Sequence, residues 1–342
     1  MKKKLLYISA GIVIISLILL FFAYRLLFGI TIYPAEKGNT LYIPSASSYE
    51  QVLDTIRANL QVEQPELLDW LAKKKNYPQS IKPGRFVIKD GISINELINL
   101  LRSGRQNPVR VTFNNIRTLN QIAGKFGKQL EKDSVQIMNF FSDPANYSAD
   151  GFTKQNIISV FIPDTYEFFW NTDESALYKR MLHEYKSFWN EVRLQKAKEK
   201  GLTLHEVSIL ASIIDDEVVK KDEKPRIAGV YLNRLKRGIP LQACPTIKFA
   251  LNDFTITRVL NVHLETDSPY NTYKYRGFPP GPIGCPSIEG IDAVLNAEKH
   301  DYIYFAARAD FSGYHNFSRT LSEHNKYAAE YQRELNKRKI YR

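Results

Sequence analysis

Three consecutive acids stand at the end of one apolar helix that the sequence predicts between Leu204 and Val219. A helix turns by 100° per residue, so Asp215, Asp216 and Glu217 point in three different directions. Glu217 lies against apolar neighbours, where desolvation raises a carboxyl pKa toward the value that a general acid needs at neutral pH. The pattern therefore indicates acid catalysis by Glu217. A carboxylate paired with a nearby Lys or Arg is the alternative, and position alone favours it.

A second chemical feature is the segment from Asp267 to Pro286, which combines aromatic residues, prolines and glycines. Neither a helix nor a central strand tolerates this density of Pro and Gly. The sequence therefore predicts a shaped loop that holds Tyr270, Asn271, Tyr273 and Phe278 in one arrangement. Flat aromatic faces with a few amides and hydroxyls suit sugar rings.

The elements that must position these residues follow from periodicity and capping signals. Ser93 to Glu96 and Thr203 to Glu206 are capping boxes, each opening a helix. The predicted strands are 40–43, 85–88, 109–113 and 302–307, and the predicted helices are 48–60, 65–74, 94–103, 118–126, 175–200, 204–219, 225–237, 288–297 and 321–339. The fold class is α+β: a single N-terminal transmembrane helix, a small α+β module, then a mixed α/β catalytic domain.

The N-terminus predicts a membrane anchor. Residues 5–28 are almost entirely apolar, and about 20 such residues span a bilayer as a helix. Three lysines precede the stretch, so the tip, residues 1–4, is expected in the cytoplasm and the rest of the chain outside it. No Ala-x-Ala site precedes Tyr33, which favours an uncleaved anchor over a cleaved signal peptide, the alternative reading.

The amino-acid composition limits the kinds of binding partner to expect. The chain has 342 residues, with 47 Lys and Arg against 36 Asp and Glu, a net charge of +11. A basic body is drawn to anionic surfaces, and outside the cytosol these are lipid or an acidic wall polymer rather than nucleic acid. The six histidines have no metal-binding spacing, so no metal is expected. Cys244 and Cys285 could form a disulfide in an oxidising compartment or remain free thiols.

Several motifs resemble, in order, those of the endolytic murein transglycosylases of the MltG (YceG-like) family. They are Phe161–Tyr166, Ile209–Glu217, Val230–Leu235, Leu241–Thr246, Tyr270–Tyr273, Gly277–Ile283, Tyr302–Phe305, Gly313–Ser318 and Glu323–Asn325. The family usually has Glu-Lys-Glu where this chain has Asp215-Asp216-Glu217, so the last acid is the one retained. The resemblance places the catalytic role on Glu217 and implies a LysM-like subdomain at 35–115, a connecting region at 116–175 and the catalytic domain at 176–342.

The same resemblance implies cleavage of the β-1,4 bond between N-acetylmuramic acid and N-acetylglucosamine inside nascent peptidoglycan, without water, giving 1,6-anhydro ends and terminating strand elongation. It implies no cofactor. Its partners would be glycan strands, the cell membrane and peptidoglycan synthases, with the protein in the bacterial cytoplasmic membrane. Both cysteines fall beside the inferred site, which favours a Cys244–Cys285 disulfide.

Candidates for holding acetamido and hydroxyl groups of the substrate are Asn233, Gln242, Thr246, Tyr270, Asn271, Tyr273 and His315. Each could instead make a local turn or cap hydrogen bond. Two other functions stay open. A hydrolytic muramidase would need a second acid, for which Asp215 is poorly aimed. A non-catalytic peptidoglycan-binding scaffold would need only the LysM-like module and the basic surface.

Overall fold

The computed structural model describes residues 2–29, 31–35 and 38–338. Met1 of the predicted tip and residues 339–342 lie outside the described part. The chain divides into two compact units. The first contains residues 1–111, 129–132 and 167–173, and the second contains 112–128, 133–166 and 174–342. These units do not identify the domain type of any segment. The domain boundaries predicted from the sequence and the LysM-like character of 35–115 therefore stay predictions.

The first unit is a small α+β body. Its elements are α1 (Lys2–Phe28), β1 (Thr31–Pro34), β2 (Thr40–Ile43), α2 (Tyr49–Asn59), β3 (Leu60–Gln61), α3 (Pro65–Lys74), β4 (Gly84–Val87), β5 (Ile92–Ser93) and α4 (Ile94–Ser103), followed by β6 (Val109–Thr112) at its boundary. β1 lies between β3 and β5, and β2 pairs with β4; both sheets are antiparallel. Leu41, Phe86 and Leu97 are fully buried in its core.

The sequence predicts a membrane span at residues 5–28, which fall on α1. None of the helices, over the residues that the structure describes, combines the length and the apolar character required to cross a membrane.

The second unit is mostly helical. Its elements are α5 (Leu119–Gly127), α6 (Ser134–Ser142), β7 (Thr165–Phe168, ending at the boundary), α7 (Glu174–Phe188), α8 (Glu191–Lys200), α9 (Leu204–Glu217), α10 (Lys224–Lys236), α11 (Cys244–Ala250), α12 (Asn261–Leu264), α13 (Ile288–Leu295), β8 (Tyr304–Ala307), β9 (His315–Ser318) and α14 (Leu321–Lys337). β8 and β9 form an antiparallel pair. Together the units confirm the α+β class.

Local capping signals are confirmed, whereas one long helix is not. The side chains of Ser93 and Thr203 accept hydrogen bonds from the backbone three residues on, as the capping boxes predict. The helix predicted over 175–200 is wrong. It is two helices, α7 and α8, because the Asn190 side chain accepts a hydrogen bond from the Arg193 backbone N–H and starts a second helix.

Helix α9 is the buried centre of the second unit. Every residue from Val207 to Ile214 is buried, and α9 packs against α10, α11 and α13. Contact with α13 is close: a Cβ at Gly290 would lie 2.6 Å from Asp215 Oδ1. A side chain at position 290 would therefore displace the Asp215 carboxylate. Val218, in extended conformation, ends α9 and leaves Glu217 as its last residue.

Candidate active site

Glu217 has an unpaired, desolvated carboxyl group. Its Oε2 atom is buried and has no hydrogen-bond partner, although the residue as a whole is partly exposed. Burial raises the pKa of Glu217 from its ordinary value of 4.5 to about 7. The positive charge of Lys248 opposes this rise and the negative charge of Asp216 adds to it. The carboxyl group can therefore exist in both protonation states near neutral pH, as the sequence analysis predicts.

Three elements carry titratable side chains that interact electrostatically with Glu217. Tyr231 comes from α10, Cys244 and Lys248 from α11, and Tyr273 from the 267–286 loop. Cys244 Sγ lies 3.1 Å from Tyr273 Oη. Burial, and next the charge of Glu217, raise the pKa of Tyr231 well above 10. Burial also raises the pKa values of Cys244 and Tyr273, so all three side chains keep their protons at neutral pH. The sequence analysis named neither Tyr231 nor Lys248 as a candidate site residue.

Asp215, two residues earlier on α9, is fully engaged. Its Oδ1 accepts hydrogen bonds of 2.7 Å from Lys224 Nζ and from Ser287 Oγ, and Oδ2 accepts another of 2.7 Å from the Ser287 backbone N–H. Ser287 is the N-cap of α13, so this carboxylate joins α9 to the start of α13. Asp215 therefore has a structural role.

Asp216 is the most exposed of the three acids. Its Oδ1 accepts a 3.1 Å hydrogen bond from Arg117 Nη2, and the Arg117 side chain is 37% exposed. A polar cavity of about 400 Å³ opens on this flank of α9, lined by Asn114, Arg117 and Asp216 among others. Glu217 is not one of the described residues that line this cavity, so the cavity neighbours the candidate acid without enclosing it.

The 267–286 loop has neither helix nor strand, as predicted. Asn271, fully buried, organises it: its Nδ2 donates hydrogen bonds to the backbone oxygens of Leu264 and Thr266, both at 2.8 Å. Its Oδ1 accepts from the backbone N–H of Tyr273 at 3.0 Å. Asn271 thus shapes the loop that carries Tyr273 rather than facing a ligand.

The same loop is fastened at its C-terminal end. The Ile283 backbone N–H donates to Ser212 Oγ at 3.0 Å, inside the core under α9. A Cβ at Gly281 would lie 2.1 Å from the Gln155 backbone oxygen, so only glycine permits this approach. The bond to Ser212 fixes the loop against the helix that carries Glu217, and the close approach at Gly281 fixes it against Gln155.

The two cysteines are not joined. Both are free thiols, and Cys285 Sγ donates to the Phe161 backbone oxygen at 2.6 Å while Cys244 Sγ contacts Tyr273. The favoured disulfide between Cys244 and Cys285 is therefore wrong for this structure. Both thiols have found other polar partners, and burial raises the pKa of each.

Three predicted substrate contacts hold the protein together instead. Asn233 Nδ2 donates to the backbone oxygens of residues 300 and 302, at 2.7 and 3.0 Å. Thr246, fully buried, donates through Oγ1 to the Ala243 backbone oxygen at 2.8 Å. Gln242 has a φ of +55° and accepts a short hydrogen bond from Arg234 Nη2. The buried Arg234, which sequence reasoning missed, thus holds the turn before α11 in its strained conformation.

His315 is also engaged elsewhere. Its Nδ1 lies 2.8 Å from Glu223 Oε2, and its backbone N–H donates to Glu223 Oε1 at 3.0 Å. Glu223 is only 3% exposed, so the pair is internal. The structure gives no contact between His315 and Glu217.

Partly exposed aromatic rings extend from α11. The Tyr270 and Phe249 ring centroids are 4.7 Å apart, and those of Phe249 and Phe254 are 6.5 Å apart. The Arg117 guanidinium lies 4.7 Å from the Phe254 centroid. We call Phe249, Phe254 and Tyr270 the aromatic strip. It lies on and beside the helix whose Lys248 interacts with Glu217, and among the predicted binding residues Tyr270 and Tyr273 have partly exposed aromatic rings.

The fold and site define an α+β protein with one desolvated carboxyl group suited to acid–base chemistry. A family model described as the YceG-like family matches residues 41–330, and the chain belongs to this family. The chain is similar to a Bacillus subtilis (strain 168) protein named endolytic murein transglycosylase, with 29% identity over 87% of each chain.

Two further similarities are consistent with this assignment. A Streptococcus pneumoniae (strain R6) protein of the same name is 28% identical over 80% of this chain, which spans only 55% of that longer relative. A crystal structure of a yceG-like protein from Listeria monocytogenes superposes with a TM-score of 0.57 at 26% identity, covering 84% of this chain and 97% of the other.

Proposed function

We propose that this protein is a peptidoglycan lytic transglycosylase in which Glu217 is the single acid–base group. The observation that carries the proposal is the unpaired Glu217 carboxyl group with a pKa of about 7. Relatives named endolytic murein transglycosylase supply the substrate class. The bond cleaved would be the β-1,4 link from N-acetylmuramic acid to N-acetylglucosamine within a strand.

The reaction needs one carboxyl group. Protonated Glu217 donates its proton to the glycosidic oxygen as the bond to muramoyl C1 breaks, which releases N-acetylglucosamine with a free 4-hydroxyl. The muramoyl C6 hydroxyl then attacks C1, and its proton passes to the Glu217 carboxylate. The product is a 1,6-anhydro ring, no water is consumed, and Glu217 returns to its protonated state. A pKa close to the working pH suits a group that must act in turn as acid and as base.

The engagement of the neighbouring acids favours this mechanism over hydrolysis. A glycoside hydrolase needs a second carboxylate, about 5 to 9.5 Å from the first, as nucleophile or base. Asp215 is held by Lys224 and Ser287, and Asp216 is paired with Arg117. Asp215 is thus committed to a structural contact, and Asp216 lies on a different side of α9 from Glu217.

The aromatic strip and Tyr273 are the surfaces that we assign to the glycan strand. Sugar rings present apolar C–H faces that pack on aromatic rings, and both Tyr270 and Phe249 are partly exposed. Asn233, Gln242, Thr246 and Asn271 would act indirectly, by fixing the segments that carry these rings.

Digestion of purified peptidoglycan by the wild type and by Glu217→Gln tests the function. Mass spectrometry of the products is expected to find 1,6-anhydro ends with the wild type and no cleavage with the variant. Reducing ends would indicate a muramidase instead. Binding without any cleavage by the wild type would favour the scaffold, and full cleavage by Glu217→Gln would refute the site assignment.

Location and cellular role are separate parts of the proposal. Apolar side chains on α1, including Ile12 and Leu20, are 60% and 70% exposed, and large exposed apolar surfaces are typical of membrane contact. We assign residues 5–28 to membrane attachment and the catalytic body to the outer side, where cleavage would end strand elongation near the synthases. Cell fractionation is expected to find the full chain in the membrane and a chain starting at residue 31 released from it. A full chain in the soluble fraction would contradict this location.

A further inference from the structure

Two buried polar atoms of the candidate site have no hydrogen-bond partner. They are Glu217 Oε2 at the end of α9 and Tyr231 Oη on α10. Tyr231 is 1% exposed, and its ring packs edge-on against Phe305 with centroids 5.9 Å apart. A buried hydroxyl without a hydrogen bond is unfavourable, and phenylalanine would fill the same space without that cost. The Tyr231 hydroxyl therefore has hydrogen-bonding capacity that no residue satisfies in this state of the site.

The surroundings of the two atoms limit what can satisfy them. The titratable and charged groups that interact with this pair are Asp216 on α9, Arg234 on α10, Cys244 and Lys248 on α11, and Tyr273 on the 267–286 loop. Arg234 is already bonded to Pro240, Ile303 and Gln242, and Cys244 contacts Tyr273. Glu217 and Tyr231 are thus the two groups of this cluster with unused hydrogen-bonding capacity at buried atoms.

We propose that Tyr231 is a positioning residue for Glu217, whose hydroxyl donates a hydrogen bond to the Glu217 carboxylate once that group has given up its proton. Helix α9 packs against α10, so the two side chains belong to adjoining elements, and the broad terminal torsion of a Glu side chain lets its carboxyl oxygens reorient. Tyr231 keeps its own proton throughout, since burial raises its pKa well above 10. This inference rests on the proposed function.

The hydrogen bond would form in one protonation state only. A protonated Glu217 carries no charge and is the weaker acceptor. The carboxylate is the stronger acceptor, and a hydrogen bond to it favours the ionised form. Tyr231 would thereby hold the carboxylate ready for the proton of the muramoyl C6 hydroxyl and counter part of the desolvation that raises the Glu217 pKa.

The test compares Tyr231→Phe with Tyr77→Phe. Tyr77 is a matched control, because its hydroxyl is also buried without a partner and it is also 1% exposed, but it belongs to the first unit. Both variants lose one unsatisfied hydroxyl, so both are expected to melt at the wild-type temperature or slightly above it. Only Tyr231→Phe is expected to lower kcat, by about 10- to 100-fold, the value of a hydrogen bond to a charged group.

The pH profile separates positioning from packing. Cleavage needs protonated Glu217, so kcat/KM falls above the Glu217 pKa. Tyr231→Phe removes a donor to the carboxylate and is expected to move this limb up by about one pH unit, with no movement for Tyr77→Phe. A wild-type kcat and limb in Tyr231→Phe would overturn the proposal. Lost activity with a lowered melting temperature and an unmoved limb would overturn it equally, by indicating a packing role.

The inference can fail separately from the function. If the wild type makes no anhydro product, the proposed function is wrong, and the Glu217 pKa is then read from the pH dependence of unfolding. Stability that the wild type loses as pH rises through the Glu217 pKa is expected to be lost at higher pH in Tyr231→Phe. If the variant and the wild type lose stability over the same pH range, the proposed hydrogen bond is refuted without any measurement of activity.

Discussion

The two flanks of helix α9 treat a carboxylate in opposite ways. On one flank, Asp215 accepts three hydrogen bonds and forms an ion pair with Lys224. On the other, two residues further on, Glu217 has a buried oxygen without any partner. Paired carboxylates stabilise a fold, and an unpaired one keeps its capacity for chemistry. Residue type and position on the chain are nearly the same, so the surroundings alone decide which carboxylate has structural partners and which has a buried oxygen without one.

The largest effect should come from Glu217→Gln. The amide retains size and shape but cannot donate and recover a proton, and we expect peptidoglycan cleavage to fall by about 1,000-fold. Folding should be unimpaired, because a neutral side chain suits this buried position. Circular dichroism and product analysis of the same preparation check both parts. If the variant also loses its fold, Glu217 would be structural like Asp215, and the contrast between the two flanks would be wrong.

Asp215→Ala should show the reverse pattern. It leaves Lys224, whose side chain is 9% exposed, as an uncompensated buried charge, so the free energy of unfolding should fall by about 3 kcal/mol. Denaturant titration measures this loss. Adding Lys224→Met should restore part of it, since the unpaired charge is then removed. A change below about 1 kcal/mol would mean that the pair is solvated and unimportant.

The raised Glu217 pKa predicts a pH-dependent difference between the wild type and Glu217→Gln. The folded pKa of about 7 exceeds the ordinary 4.5, so the stability that protonated Glu217 provides is complete below pH 4.5 and is lost as pH rises through 7. Over this window the wild type should lose about 3 kcal/mol relative to Glu217→Gln. Parallel melts from pH 4 to 8 measure it, and parallel curves across the range would contradict the raised pKa.

Asp216→Asn should have the smallest effect of these substitutions. Its ion pair with Arg117 is partly exposed, so unfolding should change by less than about 1 kcal/mol. The charge of Asp216 raises the Glu217 pKa, so its removal should move the upper limb of the activity profile slightly toward lower pH. A tenfold loss of cleavage with no shift would instead give Asp216 a direct role in the reaction.

Local sequence signals determine much of the fold. Capping boxes at Ser93 and Thr203 involve residues three apart, so the sequence contains all the information needed. The break at Asn190 was missed because the apolar pattern continues through it. No element was predicted over α11, a short helix with Pro245 in its first turn. Both errors come from polar or proline residues that act as helix starts.

The site was less predictable than the fold, for a physical reason. The burial of Glu217 follows from helical periodicity, which is local. The partners of Asn233 lie 67 and 69 residues away along the chain, so its amide could not be recognised as occupied. Asn271 and Thr246 likewise satisfy distant or backbone groups. Tyr231 stood within a quoted motif, but only the structure shows that its hydroxyl has no partner.

The fastening of the 267–286 loop affects how tightly a polymer can be held. A loop that becomes ordered only on contact gives up part of its binding free energy as lost conformational entropy. Here the buried Asn271 and the bond from Ile283 to Ser212 hold the loop in place before any ligand arrives. A polymer that contacts this loop would therefore bind with little entropic penalty from loop ordering, and calorimetry of peptidoglycan binding should record no large unfavourable entropy from that source.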